Sequence, residues 1–268
     1  MTDRYAVIGN PVAHSKSPWI HGEFARATGQ DIEYLRIEAP LDGFDRVADE
    51  FRRAHARGAN VTLPFKETAY RYCDEVSPGA RRAGAVNTLA FASTGTTGEN
   101  TDGSGLLRDL TVNLGFPVRG QVILLLGAGG AARGVLGPLA AAGPARIVIA
   151  NRTRAKALEL ARRFTAAPVE GCGYGELDGR DFDLVINATS AGLDNETPPV
   201  PSGIFRKGAL AYELVYGRDT PFLTSARISG AATCDGTGML VEQAADSFCF
   251  WRGMRPQTAS VIAALRAG

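Results

Sequence analysis

Polar side chains that could bind or transform a small molecule form clusters in the first half of the chain. They occur around Ser15 and Ser17, around Thr62 and Lys66, and at Asn87 and Asp102, as in the stretches His14-Ser15-Lys16-Ser17-Pro18, Asn60-Val61-Thr62-Leu63-Pro64-Phe65-Lys66, Ala85-Val86-Asn87-Thr88 and Asn100-Thr101-Asp102-Gly103. Hydroxyl, amide, ammonium and carboxylate groups together suit a polyhydroxylated acid as the ligand. Each residue also has a structural interpretation: Ser15 and Ser17 as helix caps, Thr62 as a strand residue and Asn87 as a turn residue.

A glycine-rich loop in the second half predicts a dinucleotide site. Gly127-Ala128-Gly129-Gly130-Ala131-Ala132 follows an apolar run and precedes a stretch rich in Ala and Leu. In this fingerprint the first glycine permits a tight turn, the second lets the backbone approach a pyrophosphate, and a small third residue allows close helix packing. The N–H groups at the start of the helix would then face the phosphate.

The residues after the next strand indicate which cofactor binds. An NAD site usually has a carboxylate there to bind the ribose 2′-hydroxyl, whereas this chain has Asn151, Arg152, Thr153, Arg154 and Lys156. Because a guanidinium can pair with a 2′-phosphate, the segment predicts NADP. The alternative is that these are solvated charges on a first helical turn, which suits Arg154 better than Arg152.

Apolar runs and helical patterns alternate along the chain, which predicts an α/β fold with doubly wound, mainly parallel sheets. Strands are predicted at 4–8, 32–37, 59–63, 86–91, 98–101, 121–126, 146–150, 182–189 and 209–215, with a hairpin at 93–95. Helices are predicted at 18–27, 43–57, 103–114 (with Asp102 as its cap), 133–142, 154–164, and within 240–265, interrupted at Gly253 and Pro256.

The composition excludes several classes of protein. The chain has 268 residues, with 29 Lys+Arg against 28 Asp+Glu, which is too balanced for a nucleic-acid partner. We expect no membrane span and no signal peptide. The four cysteines are far apart and there are only three histidines, so we expect free thiols in the cytoplasm, no metal site, and simple hydrogen-bonding roles for His14 and His21.

Motifs spread over nearly the whole chain resemble those of the shikimate dehydrogenase family. They occur in the family's order: Gly9-Asn10-Pro11, Ser15-Lys16-Ser17-Pro18, Gly58-Ala59-Asn60-Val61-Thr62, Pro64-Phe65-Lys66, Gly84-Ala85-Val86-Asn87-Thr88, Asn100-Thr101-Asp102-Gly103, Gly127-Ala128-Gly129-Gly130-Ala131, Asn151-Arg152-Thr153, Asn187-Ala188-Thr189, Asp235-Gly236 and Gly238-Met239-Leu240.

The resemblance implies two α/β domains with a cleft between them. Residues 1–101 and 240–268 would bind shikimate or 3-dehydroshikimate, and residues 102–239 would form a Rossmann-type NADP domain. The implied reaction is the reversible NADPH-linked reduction of 3-dehydroshikimate to shikimate, in aromatic amino-acid biosynthesis. We expect a monomer or a homodimer.

The resemblance also assigns roles to individual residues. Lys66 would be the catalytic acid/base, paired with Asp102. The substrate would be held by Ser15, Ser17, Thr62, Lys66, Asn87, Asp102, Tyr216 and Gln243. The cofactor would be faced by Gly127, Ala128, Gly129, Gly130, Ala131, Asn151, Arg152, Thr153, Lys156, Leu214, Gly236 and Met239.

The sequence departs from the family's pattern in two places, and two alternative functions stay open. Glu213 stands where the family usually has Asp, and either Arg154 or Lys156 could contact the 2′-phosphate. A quinate/shikimate or aminoshikimate dehydrogenase would share the scaffold, although Ser15 and Arg152 argue against quinate with NAD. A non-catalytic NADPH sensor is the other alternative, and it could have lost Lys66 or Asp102, which are both present.

Overall fold

The chain forms two compact units, each with its own sheet. The computed structural model describes residues 2–164, 167–192 and 196–267. Unit 1 comprises Met1–Gly105 and Val241–Gly268, and unit 2 comprises Leu106–Leu240. The sequence-based division after residues 101 and 239 differs from these boundaries by a few residues, and the molecule that each domain binds stays a prediction.

Unit 1 contains a six-stranded, mainly parallel sheet in the order β2-β1-β3-β5-β6-β4. Its elements in chain order are β1 Asp3–Gly9, α1 Ser17–Thr28, β2 Ile32–Glu38, α2 Phe44–Arg53, β3 Gly58–Val61, α3 Lys66–Tyr72, β4 Glu75–Val76, α4 Pro78–Ala83, β5 Thr88–Ala92 and β6 Gly95–Glu99. Helix α5 Asp102–Arg108 then continues into unit 2.

Strands β1 and β3 place two of the predicted polar clusters at one edge of this sheet. The strands are parallel neighbours, with Ile8 opposite Val61. Their carboxyl ends therefore meet at the same edge, where ligands bind in open α/β sheets. The predicted hairpin is confirmed, since β5 and β6 pair antiparallel and turn at 93–94.

Unit 2 contains six parallel strands in the order β12-β11-β10-β7-β8-β9. Its elements are β7 Val122–Leu126, α6 Gly130–Ala141, β8 Arg146–Ala150, α7 Arg154–Ala161, β9 Val169–Cys172, β10 Phe182–Asn187, β11 Phe205–Glu213, α8 Pro221–Ile228 and β12 Ala232–Cys234. Helices α9 Thr237–Arg252, which begins in unit 2, and α10 Ala259–Ala267 complete the chain.

Strand β7 is the topological switch point of unit 2. Its two neighbours, β8 and β10, continue the chain in opposite directions across the sheet, so the loop after β7 is where a doubly wound sheet binds its ligand. The strand is buried on both faces, as predicted: Ile123 and Leu125 belong to one core cluster, and Leu124 and Leu126 to another.

The helix predicted at 103–114 differs from the structure in two ways. It begins with Asp102, so Asp102 is the first helical residue and not the cap. It also ends as an α-helix at Arg108, and a π-helical turn follows over Asp109–Asn113. The buried Asp109 carboxylate accepts hydrogen bonds from Tyr212, at 2.6 Å, and from Asn113, at 2.9 Å.

The other differences between prediction and structure are the end of helix α2 and several short elements. Helix α2 ends four residues before its predicted end, because His55 adopts a left-handed backbone with φ 62° and Arg57 N–H bonds to the carbonyl of Arg4. The elements that the sequence analysis did not predict are α3, α4, α8, β4, β9 and β12. Lys66 is the first residue of one of these short helices, α3.

Membrane spans and metal clusters are not found in the part of the chain that the structure describes. No helix there has the length and apolar composition to cross a bilayer. No group of three or more His, Cys, Asp or Glu residues within the same ranges could hold a metal ion.

His21 is packed inside an aromatic cluster of unit 1. Its ring stacks on Tyr34 at 4.3 Å between centroids and also contacts Phe24, Phe248 and Trp251. The Asn60 side chain lies near the His21 ring, but no hydrogen bond of good geometry to either ring nitrogen is found among the described residues, so aromatic packing is the main role of His21. Complete burial lowers the pKa of His21 to about 3, against a weaker opposing effect of the Asn60 side chain.

Because His21 is buried as a neutral imidazole, we expect the folded protein to lose stability in acid. Below its ordinary pKa of 6.5 the unfolded chain binds a proton at His21 that the folded chain excludes down to about pH 3. The free energy of unfolding therefore falls as pH falls through this window, by up to about 1.4 kcal/mol per pH unit from this residue. Urea unfolding between pH 7 and pH 4 should show a shallower acid loss for His21→Phe than for wild type.

The exposed His14 supplies the control for this prediction, as His14→Gln should keep the wild-type dependence. Equal pH slopes for His21→Phe and wild type would contradict the buried neutral imidazole.

Candidate functional site

The centre of the candidate site is a largely buried ion pair between Lys66 and Asp102. Lys66 is the first residue of α3 and Asp102 the first residue of α5. The Nζ of Lys66 lies 2.5 Å from Oδ2 of Asp102, with only 15% and 6% of the two side chains exposed. An ammonium and a carboxylate held together out of bulk water can stabilise charge and move a proton at one point in space.

The side-chain amide of Asn87 is fixed against the second oxygen of Asp102. Asn87 Oδ1 accepts from the backbone N–H of Thr101 at 2.9 Å, which can only donate. Its Nδ2 therefore faces Asp102 and donates to Oδ1 at 2.9 Å. Each carboxylate oxygen of Asp102 thus has its own donor, Lys66 on one and Asn87 on the other.

Gln243 joins this group from helix α9. Its Oε1 accepts from Asn87 Nδ2 at 3.3 Å. The approach of α9 to α5 depends on Gly105, where an added Cβ would lie 2.7 Å from the Gln243 backbone nitrogen. Four of the predicted site residues, from four separate segments, are therefore linked in a chain of hydrogen bonds from Lys66 through Asp102 and Asn87 to Gln243.

The remaining predicted substrate residues lie elsewhere. In unit 1, Ser15 lies between β1 and α1, and Ser17 is the first residue of α1, with its N–H bonded to Ser15 Oγ at 3.2 Å. Thr62 directly follows β3. Burial raises the pKa of Tyr34 well above its ordinary value, against a smaller opposing effect of the Ser17 side chain. Tyr216 belongs to unit 2, after β11.

Five buried or partly buried residues behind Asn87 were not predicted as site residues. Asn60 donates to the Asn87 carbonyl at 3.1 Å and accepts from the Tyr34 hydroxyl at 2.7 Å. The complete set is Tyr34, Asn60, Thr88, Thr101 and Ser247. Asn60 belongs to one of the polar clusters and to a family motif, although neither indicates that its amide faces Asn87. Ser247 has no sequence signal beyond its position one turn after Gln243.

The glycine-rich loop of unit 2 has the geometry of a pyrophosphate site. Gly127 adopts φ +105°, which strongly favours glycine, and an added Cβ would lie 3.0 Å from the carbonyl oxygen of Ala188. Gly129 is the N-cap of the 12-residue helix α6, and an added Cβ there would point into open space. Ala128, Gly130 and Ala131 complete the turn, so the residues present fit a dinucleotide phosphate group.

Basic side chains follow strand β8, where the sequence predicts the 2′-phosphate. Arg154 is engaged by Glu176, with Nε 2.7 Å from Oε1. Arg152 and Lys156 are exposed and make no salt bridge to any described residue. Asn151 donates to the backbone carbonyl of Thr153 at 2.9 Å, which shapes the turn that carries them.

Glu213 is accommodated without loss of hydrogen bonds, although it is longer than the family's usual Asp. Its carboxylate accepts from Asn187 at 2.8 Å, from Thr220 at 3.1 Å and from the Val215 N–H at 3.1 Å. Burial raises the pKa of Glu213. The absence of a side chain at Gly192 provides the space, since a Cβ there would lie 3.2 Å from Glu213 Oε2.

Leu214 and Gly236, two of the other predicted cofactor residues, pack against each other next to the Glu213 backbone. Leu214 follows Glu213 directly, and an added Cβ at Gly236 would overlap the Leu214 carbonyl, so close packing requires that glycine. Met239 is mostly buried in the core of unit 2.

Three family models match successive parts of the chain. They are described as the shikimate dehydrogenase substrate binding domain over residues 7–89, shikimate / quinate 5-dehydrogenase over residues 112–194, and the shikimate 5'-dehydrogenase C-terminal domain over residues 236–266. Together they cover well over half of the sequence.

Curated relatives match along their full length. A protein named shikimate dehydrogenase (NADP(+)) from Aromatoleum aromaticum is 57% identical over 270 residues, covering 98% of this chain and 97% of that protein. One of the same name from Dechloromonas aromatica is also 57% identical, covering 100% and 98%.

Solved structures superpose over the whole chain. An Ael1 enzyme from Pseudomonas putida has a TM-score of 0.92 at 49% identity, covering 98% of each chain. Shikimate 5-dehydrogenase from Thermus thermophilus, in complex with NADP(H) and shikimate, has a TM-score of 0.89 at 37% identity, covering 99% of each chain. The 5-ketofructose reductase of a Gluconobacter strain has a TM-score of 0.86 at 30% identity, covering 100% of this chain and 99% of that one. With its motifs, its two sheets and these relatives in agreement, the chain belongs to the shikimate dehydrogenase family.

Proposed function

We propose that the protein catalyses the reversible, NADPH-linked reduction of 3-dehydroshikimate to shikimate in aromatic amino-acid biosynthesis. The observation that carries this proposal is the Lys66–Asp102 pair, set beside the amides of Asn87 and Gln243. The names of the curated relatives, and the NADP(H) and shikimate held by the Thermus thermophilus enzyme, support the same substrate and cofactor.

The unit 1 residues suit an acid that carries several hydroxyl groups. The side chains of Asn87 and Gln243 each offer both an acceptor and donors to a hydroxyl group. Ser15, Ser17 and Thr62, at the carboxyl ends of β1 and β3, add three hydroxyls at the same sheet edge. We assign these residues, with Lys66, Asp102 and Tyr216, to the substrate.

Lys66 would act as the acid in the direction of reduction. NADPH, when bound, supplies the hydride that adds to the carbonyl carbon. Negative charge then develops on the carbonyl oxygen, where the Lys66 ammonium stabilises it and donates a proton to form the alcohol. Lys66 recovers its proton from water, and in the reverse direction its amine removes the hydroxyl proton.

Asp102 would hold both Lys66 and the substrate hydroxyl in place. Its two oxygens are already oriented by Lys66 and by Asn87, so little rearrangement is needed when a substrate binds. Because removing one partner leaves the other charge buried and unpaired, both residues also matter for local stability.

The cofactor would bind to unit 2. We assign the pyrophosphate to the turn from Gly127 to Ala131 and the 2′-phosphate to the segment Asn151, Arg152, Thr153 and Lys156. We place Leu214, Gly236 and Met239 against the rest of the cofactor. Arg154 is the weaker candidate for the phosphate, since Glu176 already holds its guanidinium.

We also propose that the protein acts in the cytoplasm, as a monomer or a homodimer, without a nucleic-acid partner. All four cysteines are free thiols, which suits a reducing compartment. The formal net charge of +1 offers no basic surface on which a polyanion would depend.

Removal of either charge should impair turnover more than binding. Lys66→Ala and Asp102→Asn should each lower kcat by about 10²–10⁴-fold, the usual contribution of a general acid/base. The KM for shikimate should change much less. Initial rates of NADP reduction at 340 nm over a range of shikimate concentrations give both constants.

Arg71 provides the matched control on the same helix as Lys66, because its side chain is exposed and bonds only to Thr68 among the described partners. Arg71→Ala should retain the wild-type kcat. If both charge variants are folded in thermal melts and keep their kcat, the catalytic assignment is wrong.

Arg152 should control the preference for NADP over NAD. Arg152→Ala should raise the KM for NADP about tenfold, as expected for loss of a hydrogen bond between charged groups, and leave the KM for NAD unchanged. Lys156→Ala should have a larger effect on NADP than Arg154→Ala, which serves as its control. A wild-type enzyme that uses NAD as efficiently as NADP would contradict the cofactor assignment.

The substrate assignment is tested by exchanging both the substrate and the cofactor in one assay. Wild-type protein should reduce NADP with shikimate far faster than it reduces NAD with quinate. Preferred turnover of quinate, or of an aminoshikimate, would identify one of the related dehydrogenases. Tight NADPH binding without turnover of any of these substrates would identify a sensor.

A further inference from the structure

We propose that Thr88 and Ser247 are positioning residues of this active site. They act through Asn87 and Gln243, by joining the strand that follows one amide to the helix that carries the other. This inference rests on the proposed function, and neither residue belongs to the assigned substrate or cofactor set.

The two hydroxyls meet inside unit 1, where both side chains are fully buried. Thr88 is the first residue of β5, directly after Asn87, and Ser247 lies one helical turn after Gln243 on α9. Their oxygens are 2.8 Å apart. This hydrogen bond therefore connects two segments that are far apart in sequence, since Thr88 and Ser247 are separated by 159 positions.

The direction of the surrounding hydrogen bonds is fixed by groups that can act in only one way. The Asn87 backbone carbonyl can only accept, so the amide nitrogen of Asn60 faces it at 3.1 Å. The same nitrogen lies 3.1 Å from Thr88 Oγ1 and 2.9 Å from Ser247 Oγ. An amide nitrogen carries two hydrogens, so beside the Asn87 carbonyl it donates to one of the two hydroxyls, and the Ser247 oxygen is the nearer. The Tyr34 hydroxyl holds the Asn60 amide in this orientation from the other side, at 2.7 Å.

The two hydroxyl protons can then form a chain that ends on Asn87. Ser247 has two acceptors in reach, Thr88 Oγ1 at 2.8 Å and the backbone carbonyl of Gln243 at 3.0 Å. When Ser247 donates to Thr88, the single Thr88 hydroxyl proton is available to Asn87 Oδ1 at 2.9 Å. Since Asn87 Oδ1 is held by Thr88 and by the Thr101 N–H, Asn87 Nδ2 is directed at Asp102.

Loss of the Thr88 hydroxyl removes one of the bonds that hold the Asn87 amide in this plane. The Asn87 amide would then be free to tilt away from Asp102. The Asp102 carboxylate would keep Lys66 as its donor but lose Asn87, and its position against Lys66 would be less constrained. Small misplacements of this kind reduce turnover, because proton transfer depends steeply on geometry. Neither hydroxyl touches Lys66 or Asp102 in the described structure, so the effect must pass through Asn87 and Gln243.

Paired substitutions at Thr88 separate positioning from packing. Thr88→Val keeps the shape and removes the hydroxyl, whereas Thr88→Ser keeps the hydroxyl and removes a buried methyl group. We expect kcat for shikimate oxidation to fall about tenfold in Thr88→Val and to stay within about twofold of wild type in Thr88→Ser. The KM for NADP, which reports on unit 2, should be unchanged in both.

Ser247→Ala provides a second measurement from the helix side. It should also lower kcat, and the double variant Thr88→Val/Ser247→Ala should lose less than the product of the two single losses, because both remove the same connection. Thermal melts establish that each variant is folded at the assay temperature.

Equal kcat in Thr88→Val and Thr88→Ser, in folded protein, would overturn the inference and leave the hydroxyl pair a packing feature. Strictly multiplicative losses in the double variant would overturn it as well. These outcomes are distinct from failure of the proposed function, which would appear as absence of shikimate turnover in the wild type.

Discussion

The constraint on which the site depends is the cost of removing an ammonium and a carboxylate from water. A buried ion pair is favourable only if further hydrogen bonds replace the lost hydration. In this protein the second oxygen of Asp102 receives the Asn87 amide, and Asn87 in turn is held by Thr101 and Thr88. The buried Lys66–Asp102 pair thus requires the polar residues that pack behind it, because a partly satisfied hydrogen-bond network there would be worse than an apolar core.

Chain connectivity explains how these groups come together. Unit 1 is built from two separate parts of the sequence, and α9 supplies Gln243 and Ser247 only after the chain has completed the sheet of unit 2. Helices α5 and α9 can meet closely because Gly105 has no side chain to separate them. Residues from both ends of the chain therefore fix the same amide, which makes the geometry of the site a property of the whole unit 1 fold and not of any single loop.

The features that sequence analysis predicted well depend on local geometry. The buried strand β7 and the turn at Gly127 follow from an apolar run and from a backbone conformation that only glycine adopts easily. By contrast, helix α3, which begins with Lys66, was not predicted, because its seven residues are too few to show a clear hydrophobic period. The positions of Tyr34 and Ser247 are set by contacts across long sequence separations, and the His21 ring is held mainly by aromatic packing. Such roles follow from the tertiary fold and leave no local pattern.

The sites that we propose for the two units rest on different chemistry. The backbone fold largely determines one of them, and side chains determine the other. A pyrophosphate can be bound by backbone N–H groups at a helix start, so the sheet order and two glycines nearly suffice for it in unit 2. In unit 1 the groups available to a substrate are side chains, and their orientation depends on a buried network. A 5-ketofructose reductase shares this architecture over its whole length, so the fold alone does not select a substrate. Substrate selection must therefore lie in which side chains stand around Lys66 and Asp102, and in how rigidly the residues behind them hold each amide.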